Sequence, residues 1–263
     1  MWDQNKDVKH RLMKTDKLQI AQACKDMADY RDRVLSPATR GLFRDLESNQ
    51  VSLHQAYSVN MFAAHAMDYL HAIRKAKGEK ISRADLLEKF DELSSLDGAV
   101  LANRKFQLVN LINNSLKHIE LDKQRRENTA AIEHYGPIRF GALVEQDGRV
   151  HCVLDNYRFD FCRVVLRPVL EPFIESDFST QSYVEDFAEG DICFAGDSSY
   201  DLDDPIDQMI EHCNPLCLNC GEGEADCECA TFVFDSEGCH FEPFPSDPNF
   251  NFDAVMSQIS SAR

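Results

Sequence analysis

The stretch HYGPIRFGALVEQDGRVHCVL, residues 134–154, holds the change of period that decides the fold. Before it, apolar residues recur every three or four positions; within it, apolar runs alternate with polar residues and break at Asp147-Gly148. Gly136-Pro137 stops a helix, and Asp-Gly between two apolar runs predicts a tight turn joining Ile138–Glu145 to Arg149–Leu154 as a β-hairpin. Composition changes at the same place. Up to Tyr135 there are 22 Lys+Arg against 19 Asp+Glu, a balance of +3; from Gly136 onward 6 Arg face 26 Asp+Glu, a balance of -20. Lys123 is the last lysine, and nine of the ten cysteines follow Tyr135. The expected class is α+β, with an N-terminal antiparallel helical bundle at 1–135 and a small acidic, β-rich, cysteine-rich module at 136–263.

Helical punctuation recurs upstream. Ser36-Pro37 predicts a helix start, Val51–Lys77 a long helix stopped by Gly78, and Ser82 with Asp85 a capping box opening the next helix. Phe106, Val109, Ile112, Leu116 and Ile119 predict another helix from near Asp97 to at least Arg126. Downstream, Pro168 and Pro172 divide Asp160–Ile174, which is read as a strand or a short helix. Ser176–Asp207 is read as acidic loops with one strand at Ile192-Cys193-Phe194, and Thr231–Asp235 with His240–Phe244 as a second hairpin.

Charge and hydropathy narrow the function classes. A formal net charge of -17 opposes broad attraction to nucleic acid, because phosphate binding rests on Lys and Arg; RNA contact is expected only on the N-terminal half. No run of 18 apolar residues occurs and MWDQNKDVKHRLMKTDK has no apolar core of a signal peptide, so a cytoplasmic location without a membrane span is expected. Under reducing conditions clustered cysteines are thiols or metal ligands. Cys213, Cys217, Cys220, Cys227 and Cys229 are such a cluster. Zinc takes four thiolate or imidazole ligands in a tetrahedron, and Cys217, Cys220, Cys227 and Cys229 are the first choice, with Cys213, His212, Cys239 and His240 as alternates. The second pair is C-x-C rather than C-x2-C, and unliganded thiols are the competing reading. The runs Asp201–Asp204, Glu185-Asp186 and Glu222–Asp226 offer either a solvated face or a surface for a basic protein partner.

Asn113-Asn114-Ser115-Leu116-Lys117-His118 places polar groups on one helical stripe, with Asn114 and His118 four apart. A polar residue, then Asn, three residues and His, late in a helical bundle, resembles the motif of the HEPN superfamily over residues 50 to 125. The resemblance implies a bundle in which the histidine acts as acid or base on an RNA 2'-hydroxyl and an arginine stabilises the phosphate. Asn113 stands at the arginine position, so Lys117 is the cation left to substitute, and Asp68 on the preceding helix is expected to orient His118. His54, His65, Asp68 and His71 also share that preceding helix, without the spacing of a metal-binding helix. Three function classes follow: an interaction or regulatory protein of a microbial defence or toxin system; a metal-independent ribonuclease using His118 and Lys117, completed by a homodimer; and an acidic inhibitor seated on a basic partner.

Overall fold

The computed structural model describes residues 4–93, 104–117, 126–155, 157–192, 209, 213–217, 223–224, 227 and 250–261. Helix α1, Gln4–Tyr30, continues through a π-helical turn at Arg31–Leu35 into α2, Ser36–Glu47. Ser36 therefore does not open a new helix: its backbone is right-handed helical, and its N–H donates to the carbonyl of Arg31 five residues back. Pro37 has no N–H to give, and its ring collides with the carbonyl four residues earlier in a regular helix; the widened turn relieves both problems without breaking the rod. The same device recurs where the chain was read as a strand or short helix. A π-helical turn at Cys162–Leu166 enters α7, Arg167–Glu175, with Arg167 N–H donating to Cys162 O just before Pro168. Both sites carry Val-Leu-x-Pro, at Val34–Pro37 and Val165–Pro168.

Helix α3, Leu53–Ala76, starts at Ser52, whose hydroxyl accepts from Gln55 N at 3.2 Å, and stops at Gly78 with φ +83°. Its buried face is rich in small residues, Ala56, Ala63, Ala64 and Ala66, which let neighbouring helices approach closely. The capping box forms as expected, Ser82 and Asp85 each accepting the other's backbone N–H at 3.1 Å at the start of α4, Arg83–Leu93. Helix α5 is Lys105–Lys117, and the expected unbroken helix from Asp97 is not found: Arg104 sits at φ +63°. The Asp91 carboxylate instead caps α5, accepting from Phe106 N at 2.7 Å and Gln107 N at 3.2 Å. Helix α6, Arg126–Tyr135, ends at Gly136 with φ +83°.

The hairpin is present as β1, Leu143–Gln146, and β2, Arg149–Val153, paired antiparallel with Gln146 opposite Arg149. Asp147 at φ 52° and Gly148 at φ 73° supply the two positive dihedrals that a two-residue turn of this hand requires. A third strand that the sequence reading lacks, β3, Arg158–Asp160, completes a sheet of order β1-β2-β3. Ser176–Asp207, read as loops and a strand, contains helix α8, Gln181–Glu189, capped by the Thr180 hydroxyl and ended by Gly190 at φ 92°. Val184, Phe187 and Ala188 supply its buried face at helical spacing. Helix α9 is Phe252–Ser261, with Phe252 exposed and Val255 buried. Cys193, Phe194 and the second hairpin lie outside the described residues.

One apolar cluster draws on both sides of Tyr135. Phe106 meets Phe90 at 5.3 Å between ring centroids, Phe90 meets Phe187 at 5.8 Å, and Phe187 meets both Phe173 and Phe178 at 5.0 Å. Cations of the first half also close helix ends of the second. Arg31 donates to the carbonyls of Phe173, Ile174 and Ser176 at 2.9–3.1 Å and lies over the Phe178 ring, and Arg74 donates to Ala188 O at 3.1 Å. The change of composition at Tyr135 is not a break in packing.

Candidate functional site

Helix α5 is buried from Lys105 through Asn113, so the motif residues divide by environment. Asn113 is in the interior, Asn114 is half-buried and Lys117 is exposed on the last turn; His118 lies outside the described residues. Asn113 thus places a neutral amide in the core. Two more buried asparagines line the seam between α3 and α5. Asn60 donates through Nδ2 to Val109 O at 3.1 Å, and Asn110 accepts from Arg83 Nη1. Asn60 Oδ1, Asn110 Nδ2 and Asn113 Oδ1 have no hydrogen-bond partner among the described residues.

Arg83 organises this seam. As the first residue of α4 it donates through Nε to Asp68 Oδ1 at 2.6 Å and through Nη2 to Ala64 O at 3.0 Å, besides its bond to Asn110. Its planar fork ties α3 to α5, and its capped position just after Ser82 aims it there. Asp68 is therefore engaged by Arg83. The sequence reading missed Arg83, although an arginine next to a capping box was the available signal. On α3, His71 Nε2 lies 2.9 Å from Ile81 O, a structural contact with the α3–α4 connection; His54 is exposed and His65 half-buried.

Asp91 is the strongly perturbed carboxyl. Burial pushes its pKa from 3.8 up to about 7, against the lowering influence of the Phe106 and Gln107 amides and of Arg104 and Lys105. Desolvation outweighs two good hydrogen bonds because the carboxylate is almost wholly removed from water. Its neighbour Tyr135 is fully buried, which raises the phenol well above its ordinary value.

Of the cysteine cluster, Cys213 is exposed, Cys217 is buried at the edge of the core and Cys227 packs half-buried against it. An antiparallel bridge pairs Leu216 with Gly223, and Cys227 N–H donates to Gly223 O at 2.9 Å. Cys220, Cys229, Cys239, His212 and His240 lie outside the described residues. Among the described residues no three His, Cys, Asp or Glu side chains gather as a metal site. Cys24, Cys152 and Cys162 are buried thiols whose pKa is raised chiefly by loss of solvent, to about 11 for Cys24, so they are poor nucleophiles.

A cavity of about 460 Å³ opens elsewhere, lined by Phe43, Leu46, Glu47, Asn49, Arg149, Arg163 and Arg167. Three of the six arginines after Tyr135 meet there. They come from β2, the second π-helical turn and the start of α7, and face the end of α2, so no short motif announces them. No described helix is long and apolar enough to cross a membrane. Comparison of the chain with known proteins finds no matching family model, no matching curated protein and no matching solved structure.

Proposed function

We propose that the chain is a non-catalytic interaction or regulatory protein, a HEPN-like bundle with degenerate chemistry joined to an acidic segment that docks on a basic protein partner, in the setting of microbial defence that the resemblance implies. One observation carries this reading: Asn113 is a buried amide where the superfamily's chemistry needs a cation, while Asp68 is taken up by Arg83. Asn cannot stabilise the charge that develops on a phosphate. Zinc held by Cys217, Cys220, Cys227 and Cys229 is part of the proposal; a closed thiolate site contributes folding energy and leaves no open position for catalysis. The antiparallel bridge of Leu216 with Gly223 brackets the first cysteine pair in the chain and supports that ligand set.

The test is turnover of single-stranded and structured RNA by the purified chain, by His118→Ala and by Lys117→Ala. Equal background for all three is expected. Cleavage by the native chain that disappears in His118→Ala would replace this reading with the ribonuclease one. Metal analysis should return one zinc per chain, and Cys220→Ser should lower it; metal-free protein purified under reducing conditions would remove zinc from the proposal.

A further inference from the structure

The end of α2 gives the arginine-walled cavity its chemistry. Phe43 and Glu47 are four residues apart with Leu46 between them, so a half-buried ring, a buried aliphatic chain and an exposed carboxylate share one side of the last helical turn, and all three line the cavity. The arginines of the wall are engaged within the protein: Arg163 with Asp160 at 2.8 Å and Leu46 O at 2.7 Å, Arg167 with Glu171 at 2.9 Å, and Arg149 with Asn49 at 2.9 Å. Each has further interactions besides. They hold no charge in reserve for a ligand; they contribute flat guanidinium faces, on which a ring can stack without drawing on free charge.

Those arginines also orient Asn49. A guanidinium only donates, and Arg149 Nε and Arg163 Nη2 both reach Asn49 Oδ1, at 2.9 and 3.0 Å, so the amide nitrogen Nδ2 is turned the other way, where no described residue accepts from it. Glu47 has no hydrogen bond or ion pair with a described residue. As the last residue of α2 it sets a negative charge at the negative end of the helix dipole, so it does not serve the helix. The groups left for a ligand are therefore a carboxylate that accepts two hydrogen bonds, an amide that donates one, and an aromatic ring beside them. Guanine carries the matching edge, since its O6 accepts while N1–H and the 2-amino group donate. A net charge of -17 favours a neutral ligand over a phosphate, and a volume of about 460 Å³ lies within the roughly 300–1,000 Å³ of ordinary ligand pockets.

We propose that this cavity binds a neutral guanine nucleoside, with Glu47 accepting from N1–H and the 2-amino group, Asn49 Nδ2 donating to O6, and the base stacked on Phe43. The proposal does not depend on whether the bundle retains ribonuclease chemistry or on a protein partner.

Equilibrium dialysis of the full chain against guanosine, inosine, adenosine and guanosine monophosphate tests it. Guanosine should bind one per chain. Inosine, which lacks the 2-amino group, should bind about tenfold more weakly, the loss expected for a hydrogen bond to a charged group, and adenosine, whose edge reverses donor and acceptor, should not bind. Guanosine monophosphate should bind no more tightly than guanosine, and guanosine binding should be insensitive to salt, because no arginine charge is drawn upon. Glu47→Gln should weaken guanosine by about tenfold or more with the thermal transition unchanged, since Glu47 is exposed. Phe43→Leu should weaken it by about fivefold or more through lost stacking. The inosine comparison needs no variant and serves whatever the fate of either substitution. Absent binding at millimolar guanosine, inosine or adenosine matching guanosine, unchanged affinity in Glu47→Gln, or tighter and salt-sensitive binding of the monophosphate would each overturn it.

Discussion

Asp91 shows how a single buried carboxyl couples local geometry to pH. Its folded pKa of about 7 lies above the ordinary 3.8, so between those values the native state holds a proton that the unfolded chain has released. The stabilising contribution is then fully present below about pH 4 and is lost as pH rises through 7, amounting to at most roughly 4 kcal/mol at about 1.4 kcal/mol per pH unit. Urea unfolding of the native chain and of Asp91→Asn at pH 5, 6 and 7.5 isolates this from the other carboxylates. The native chain should lose stability relative to the variant as pH rises, and parallel pH profiles would refute the assignment. Nothing in the local sequence around Asp91 marks it as special, because its raised pKa depends on burial and its hydrogen bonds come from the start of α5.

At the level of elements, the β1–β2 turn and the two π-helical turns illustrate different degrees of legibility. Asp147-Gly148 predicts the hairpin because the turn needs two positive dihedrals. The docking of that turn is long-range: Val51 N–H donates to Gly148 O at 2.8 Å, and a β-carbon at Gly148 would run into the Asn49 carbonyl. Gly148→Ala should therefore cost about 2–4 kcal/mol by chemical denaturation, combining left-handed strain with overpacking. Gly141→Ala, at φ 92° but in open space, should cost only the strain, about 1–2 kcal/mol. Equal losses at the two sites would mean that the turn does not press on the α2–α3 connection. The prolines at 37 and 168 read locally as a helix start and a helix breaker, yet each lies in a continuous rod, because one widened turn removes the steric conflict.

Across the whole molecule, the aromatic chain Phe106–Phe90–Phe187–Phe173 and the caps provided by Arg31 and Arg74 make the two compositional halves share a core. A chain ending at Tyr135 should lose the cooperative thermal transition, since α1 and α3 would expose the faces that α8 covers and α5 the face that the second π-helical turn covers. Full-chain calorimetry should show one transition for the shared core. A truncated chain that melts cooperatively near the full-length temperature would establish the first 135 residues as an independent unit.

What the linear sequence determined by itself was local: the capping box at Ser82, the stops at Gly78 and Gly136, the hairpin at Asp147-Gly148, and the division of charge at Tyr135. Each depends on a few neighbouring dihedrals, hydrogen bonds or counted charges. Thr180 and Gly190 were equally available as helix signals for α8, although the acidic composition between them obscured its apolar face. Only tertiary structure decided that Asn113 faces the core, that Arg83 takes Asp68, that one hydrophobic cluster crosses the composition boundary, and that Asn49, Arg149, Arg163 and Arg167 surround one cavity. The cavity alone joins Phe43 to Arg167, 124 positions apart, and burial and electrostatic convergence follow from how the elements pack rather than from the spacing of the side chains along the chain.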